Sequence, residues 1–167
     1  MKKTSLGFTL IELVIVITII SILAAIALPR FAALQQQART AKAQALAGSI
    51  RAAGAIAKAA CLADLGTGSP GTCTSTGGTI SMEGATVTMQ NQYPAANANV
   101  AAPFGIIGAA QISDVNDGVT LSTTGAGAAA VVNVDINGGT SPNCRITYQA
   151  PAAAGSSSSV TITTSGC

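Results

Sequence analysis

Residues 8–28, FTLIELVIVITIISILAAIAL, form a long apolar run that carries a single charge, Glu12. A helix rises about 1.5 Å per residue, so these 21 residues match a hydrocarbon core of about 30 Å. Lys2 and Lys3 precede the run, which fits a cytoplasmic N-terminus, although basic residues from Arg30 onward also follow it. The run therefore predicts a membrane-spanning helix.

The composition of the whole chain restricts its function. Of 167 residues, 8% are charged, 49% are hydrophobic and 3% are aromatic, whereas about 25% are charged in an ordinary soluble domain. The chain has no histidine, which excludes Ser-His-Asp and Cys-His nucleophiles and an HExxH zinc site. Eight Lys and Arg residues are too few for a dense basic patch, so no specific nucleic-acid partner is inferred. We expect a protein that contacts lipid or its own copies, with no enzymatic activity and no cofactor.

Two features of the apolar run leave alternatives open. A carboxylate inside a membrane span costs about 2.5–3.5 kcal/mol, so Glu12 marks a partner or function unless it is a charge tolerated near the membrane surface. Residues 25–27, Ala-Ile-Ala, have the A-x-A form of a signal-peptidase site, which allows cleavage there. Composition alone does not decide either question.

The motif GFTLIE at residues 7–12, after a short basic leader, resembles the type IV prepilin signature. The resemblance covers the first third of the chain. It implies that a prepilin peptidase cuts between Gly7 and Phe8 on the cytoplasmic side, and that the new amine of Phe8 is N-methylated. It also implies that Glu12 meets the N-terminal amine of a neighbouring subunit during assembly. Pairing a buried carboxylate with a buried ammonium removes much of the penalty that each group has alone.

Pro29 ends the apolar run and is expected to kink or open the helix, because it removes one hydrogen bond and clashes with the preceding turn. Its position resembles that of a proline in pilins beside a stretch that loosens within the filament. Many pilins have glycine where this chain has Ser21, and serine is the better helix former. We expect Phe8, Glu12 and Pro29 to act in assembly.

The helix is predicted to continue well beyond Pro29. Apolar residues then recur at spacings of 4, 3, 4 and 4, which places them on one face that can form a core: Leu46, Ile50, Ala53, Ala57 and Cys61. Thr40, Gln44, Arg51 and Lys58 lie opposite.

After residue 63 the helical period gives way to Gly, Ser and Thr with alternating apolar residues. Strands are predicted at 79–83, 85–90, 119–122, 130–136, 145–149 and 160–164, with a short helix near 106–112 and a connection over 93–110. The predicted fold is α+β, with the C-terminal half of a long N-terminal helix packed on a small antiparallel sheet. The expected segments are a cleaved leader (1–7), a membrane and filament-core helix (8–28), an amphipathic continuation (29–62) and a globular domain (63–167).

A second, shorter resemblance concerns residues 81–96, SMEGATVTMQNQYPAA, which look like the sheet-entry region of MSHA-type pilins. It implies that the chain is a type IVa-like pilin of that type.

The four cysteines all follow the membrane span and would face the oxidising side, where disulfides form. They allow three pairings. Pilins commonly have a disulfide that bounds their C-terminal region, and Cys144–Cys167 resembles that feature, so we favour it together with Cys61–Cys73. A metal site is disfavoured because the chain has neither CxxC nor histidine. Residues 114–118, DVNDG, could bind Ca²⁺, but a solvated Asx turn is the simpler interpretation.

The resemblance implies a major subunit of a type IV pilus, used for adhesion, motility or DNA uptake. Its partners would be its own copies in a helical homopolymer, prepilin peptidase, the pilus assembly machinery, and the inner membrane before assembly. The pilus would be extracellular, on a Gram-negative-type bacterium. Three alternatives remain: a minor pilin, a type II secretion pseudopilin, and a membrane-anchored binding module with a single span.

Overall fold

The computed structural model describes residues 8–66, 73–97 and 104–167. The chain divides into two compact units, the first ending at Ala38 and the second running from Arg39 to Cys167. The elements are α1 (Leu10–Gly66), β1 (Thr79–Met82), β2 (Ala85–Gln90), β3 (Tyr93–Pro94), α2 (Ile106–Ala109), β4 (Val119–Thr124), β5 (Val131–Ile136), β6 (Arg145–Gln149) and β7 (Ser159–Thr163).

The described part of the first unit is helical from Leu10 onward, and nearly all of its side chains are exposed. It contains seven isoleucines and two valines, which have a slightly lower helix propensity in water. In lipid every backbone polar group must be satisfied within the segment, and a helix does this. The sequence is therefore suited to a helix in an apolar environment rather than to one in water.

In the second unit, the later part of α1 buries one face. Its buried residues recur at helical spacing, as the sequence predicts: Ala43, Ala47, Ile50, Ala53, Gly54, Ala57 and Cys61. Most of these side chains are small, which lets the sheet approach the helix closely. The face contacts two hydrophobic clusters, one along its first half and one along its second.

The first cluster lies on an antiparallel sheet with the order β4-β5-β6-β7. Alternate residues of β5 and β6 point to the core, and the register pairs Val132 with Tyr148 and Val134 with Ile146. All four side chains are buried in the same cluster as Ile50 of α1. This period-two pattern is typical of a sheet with one buried face.

The second cluster lies on a separate sheet with the order β1-β2-β3, where the sequence predicts a single sheet. Strand β3 lies in the predicted connection, and tertiary context explains the difference. Asn91 and Gln92 adopt positive φ angles of 50° and 72°, and the resulting tight turn brings Tyr93 back to pair with Gln90. Helix α2 is shorter than the predicted helix at 106–112.

Buried hydrogen bonds connect the regions of the two sheets. The Tyr148 hydroxyl donates to the Pro94 carbonyl at 2.7 Å, and the Asn91 side-chain amide donates to the Pro151 carbonyl at 2.7 Å. Both bonds are buried, where satisfied polar groups specify one arrangement of the core.

Candidate functional site

The predicted processing site lies at the edge of the described residues. Gly7 lies outside them, while Phe8 is 75% exposed. Cleavage between Gly7 and Phe8 and methylation of Phe8 stay predictions.

Glu12 lies in the first turn of α1 and forms a capping box with Thr9. The Thr9 backbone N–H and hydroxyl both donate to Glu12 Oε2, at 2.9 and 2.7 Å. In return, the Glu12 N–H donates to Thr9 Oγ1 at 3.3 Å. This reciprocal pattern satisfies backbone donors that have no partner within the helix. The negative charge also lies at the positive end of the helix dipole.

Thr9 is a residue that the sequence analysis missed. The signal was available, because Thr9 and Glu12 match the S/T-x-x-E pattern that precedes an apolar helix. The carboxylate is thus held at the start of the helix by its own chain. It can still accept further hydrogen bonds, since an ionised carboxylate has about four lone-pair sites.

The helix beyond Glu12 presents apolar side chains in all directions. Among the described residues, α1 is the one helix that is long and apolar enough to cross a membrane. Its large exposed side chains between the cap and Pro29 are Leu10, Ile11, Leu13, Val14, Ile15, Val16, Ile17, Ile19, Ile20, Ile22, Leu23, Ile26 and Leu28. An exposed apolar surface of this extent marks a membrane or protein contact.

Pro29 lies within α1, and the helix is not interrupted there. The opening allowed by the sequence is therefore absent in this single chain. Upstream, the Ser21 hydroxyl donates to the Ile17 carbonyl at 2.6 Å, so serine adds a local side-chain contact that glycine would lack. Loosening of this stretch within a filament stays a prediction.

The structure pairs the four cysteines as Cys61–Cys73 and Cys144–Cys167, with Cα atoms 5.5 and 4.7 Å apart. This is the pairing that the sequence analysis favours. The Cys73 N–H donates to the Asp64 carboxylate at 3.1 Å, near the end of α1. The side chain of Arg39 donates to the Cys167 carbonyl, which attaches the segment after β7 to α1.

The carboxylates of residues 114–118 serve the loop itself. Asp117 accepts a hydrogen bond from the Ser113 N–H at 2.8 Å, and Asp114 accepts one from the Val115 N–H at 2.9 Å. Neither contact is the bond to the N–H two residues on that defines an Asx turn, so the Asx-turn interpretation stays a prediction. No group of three or more metal-ligating side chains occurs within residues 8–66, 73–97 and 104–167.

Two cationic side chains of the second unit, Arg145 and Lys58, bind polar side chains on other elements. Arg145 forms a bidentate ion pair with Asp135 at 2.7 and 2.8 Å, and this hydrogen bonding raises the pKa of Arg145. The Lys58 ammonium donates to the Tyr93 hydroxyl at 3.0 Å, and this bond lowers the pKa of Tyr93.

Comparison with known proteins gives two similarities. Residues 2–28 match the family model described as the prokaryotic N-terminal methylation motif. The chain is also 61% identical over 51 residues to a type IV narrow pilus major component, PilA5, of Thermus thermophilus.

That match spans 30% of this chain and 44% of the relative, so less than half of the relative is covered. No solved structure matches the chain significantly. The comparisons leave the MSHA-type resemblance as a prediction. The methylation motif, the matched pilus component and the long N-terminal helix that antiparallel sheets follow make this chain similar to type IV pilins.

Proposed function

We propose that this chain is the major structural subunit of a type IV pilus and that it acts by assembly rather than by catalysis. The observation that carries the proposal is the exposed apolar surface of α1, which follows the methylation motif directly. Exposure of this apolar surface to water would be unfavourable. Lipid must therefore cover the surface before assembly, and neighbouring copies must cover it afterwards. Extraction from the membrane then replaces one apolar environment with another.

The processing step belongs to the same proposal. A prepilin peptidase cuts after Gly7, and the exposed Phe8 becomes the methylated N-terminus. The mature segments are then 8–28 in the membrane and later in the filament core, 29–62 as the amphipathic helix, and 63–167 as the outer globular domain. The methylation motif at residues 2–28 supports the first two segments of this division.

Glu12 sets the register between neighbours by accepting the charged amine of another subunit. The capping box supports this role, because Thr9 keeps the carboxylate at the start of the helix. An incoming ammonium adds a donor and neutralises a charge that an apolar filament core would otherwise bury alone.

The type of subunit and its location are also inferences. The Thermus relative is a major pilus component, which supports a major pilin rather than a minor pilin or a type II secretion pseudopilin. The precursor resides in the inner membrane, and the assembly machinery there moves it into an extracellular helical homopolymer. No cofactor is needed for such a role. The Gram-negative-type envelope, and the use of the pilus in adhesion, motility or DNA uptake, stay predictions.

The first test produces the chain in a bacterium that has a prepilin peptidase and pilus machinery. Mass spectrometry should find a mature N-terminus at methylated Phe8, and electron microscopy should show filaments in which this chain is the bulk component. A mature chain that begins at Met1, or near Ala27, would contradict the proposal and favour a membrane-anchored module or a signal peptide. Processed chains confined to filament tips would indicate a minor pilin.

The second test separates the two tasks of Glu12. Glu12→Gln keeps a side-chain acceptor for Thr9 but removes the charge, whereas Glu12→Ala removes both. We expect both variants to be processed and both to lose most filaments. Normal assembly of Glu12→Gln would contradict the proposed charge pairing. Normal assembly of Glu12→Ala would exclude any assembly role for this side chain.

A further inference from the structure

Two grooves follow α1 within the unit that begins at Arg39. The first, the basic groove, is a cavity of about 390 Å³ between α1 and the side chains of Tyr93 and Val160. Arg51, Lys58 and Leu62 line its helical wall. Among the described residues that line it, these two cations are the charged ones.

The second groove, the acidic groove, is a cavity of about 910 Å³. Ile56 and Phe104 line it together with Glu83, Asp114 and Val115. Among the described lining residues, Glu83 and Asp114 are the charged ones, so the two grooves have opposite charge.

The grooves lie on opposite flanks of the helix. Successive residues are about 100° apart around an α-helix, because one turn contains 3.6 residues. Positions 51, 58 and 62 therefore lie on one side of the buried face, and positions 52, 56 and 60 lie on the other. The two surfaces cannot pair within one chain, but they can pair between copies that sit side by side.

The rim of the acidic groove carries a projecting loop. Val115 is 84% exposed and lies beside the exposed carboxylate of Asp114. The hydrogen bonds from Val115 N–H to Asp114 and from Ser113 N–H to Asp117 hold the loop in shape. A preordered loop loses little entropy when it docks.

The basic groove offers matching groups. Arg51 is exposed, and its guanidinium donates a long hydrogen bond of 3.2 Å to the Val160 carbonyl. Leu62 is 46% exposed on the same helical wall and supplies apolar surface.

We propose that residues 114–115 of one copy dock in the basic groove of a neighbouring copy, with Asp114 against Arg51 and Val115 against Leu62. Lys58 adds a second positive charge to the groove. This inference rests on the proposed function, since it specifies a contact between subunits of the filament. The contact is head-to-tail, because each copy uses one flank to donate the loop and the other to receive it. Repetition of such a contact builds an open helical assembly when it does not close into a ring.

Charge reversal provides the first test, in full-length chains produced with the pilus machinery. Asp114→Lys and Arg51→Glu should each lower the filament yield about tenfold, since close interfacial charge pairs couple by at least that order. Their combination should restore much of the yield, because the pair is reformed with reversed signs. Asp117→Asn is the matched control for Asp114→Asn: both remove one negative charge from the loop, and only the second should reduce assembly. Equal effects of the two Asn variants, or no rescue by the double reversal, would overturn the proposal.

Cysteine cross-linking provides the second test, which is possible because all four native cysteines form disulfides. Filaments of Val115→Cys/Leu62→Cys should give a ladder of covalent oligomers from trimer upward, while either single variant should give dimers at most. This contact alone would be overturned if the wild type forms filaments but the double variant gives no ladder. A product limited to dimers, or conjugates with another protein, would overturn it as well. Absence of wild-type filaments would overturn the proposed function together with the contact.

Discussion

Glu12 performs a measurable task in the single chain before any assembly takes place. Its carboxylate accepts two hydrogen bonds from Thr9, and its N–H donates one back. The cap needs only an acceptor, whereas the proposed pairing with a neighbour's amine needs a negative charge. One side chain can serve both roles, because the two requirements are compatible.

Replacement of Thr9 tests the cap. Thr9→Val removes the hydroxyl that both donates to and accepts from Glu12. We expect the start of α1 to lose about 1 kcal/mol of stability. That loss corresponds to about fivefold faster hydrogen exchange of first-turn amides, which NMR of the protein in detergent micelles can measure.

Thr9→Ser is the control for this experiment, since serine retains a capping hydroxyl and should exchange at the wild-type rate. Equal exchange rates in the valine and serine variants would show that the hydroxyl does not stabilise the first turn.

At the scale of elements, α1 is one helix with two kinds of surface. Its first unit exposes large apolar side chains all around, whereas its part beyond Arg39 buries a single face. The difference follows from the sequence, because continuous isoleucine, valine and leucine change to small apolar residues at helical spacing.

Two isoleucines of this second part give a matched comparison. Ile50 is fully buried against the four-stranded sheet, while Ile56 is 60% exposed. Ile50→Ala should lower the free energy of unfolding by about 2–5 kcal/mol, because it removes buried methyl groups and leaves a cavity. Ile56→Ala should change it little, and chemical denaturation in detergent measures both effects. Similar losses for the two variants would place the core on a different face.

The strands show how far local pattern predicts structure. Alternation predicted β1, β2, β4, β5, β6 and β7 to within about two residues at each end, in the range where boundaries are uncertain. It did not predict β3, because two residues that contain proline have no period to detect. The turn at Asn91 and Gln92, and pairing with Gln90, create that strand.

At the scale of the whole molecule, Tyr148 joins the two sheets of the second unit. Its ring is buried on β6, and its hydroxyl reaches Pro94 of β3. Burial raises the pKa of this phenol well above its usual range, with smaller effects from Ser158 and Tyr93. The ionised form would leave a negative charge in the core beside a carbonyl oxygen.

This burial predicts a loss of stability in alkali. The unfolded chain releases the Tyr148 proton near pH 10, whereas the folded chain retains it, so unfolding becomes more favourable as pH rises above that value. Above pH 10 this stabilising contribution decreases by about 1.4 kcal/mol per pH unit while the folded phenol stays protonated. Below pH 10 the contribution is fully present. Denaturation midpoints measured between pH 8 and 11 report it.

Tyr148→Phe is the control, because phenylalanine preserves the ring and cannot ionise. The variant should be less stable at pH 8, where it loses the bond to Pro94, and should lose less additional stability above pH 10. A parallel decline in both proteins would assign the alkaline effect to other groups.

The charge balance of the chain fits repeated stacking. The full sequence has eight basic and six acidic side chains. Cleavage of residues 1–7 would remove two of the basic ones, Lys2 and Lys3. The mature side chains would then balance six against six. A neutral subunit avoids strong self-repulsion when copies pack together. The local separation of charge into basic and acidic grooves is compatible with that overall balance.

The sequence by itself determined the processing motif, the apolar helix with its single carboxylate, the buried face of the later helix and most strands. These features depend on local spacing and composition, which can be read directly along the sequence. Only the tertiary structure decided the division into two sheets, the connection of Tyr148 to Pro94, and the placement of Arg51 and Asp114 on opposite flanks. Those features join residues far apart in the chain, and their geometry depends on how the turns and the core bring them together.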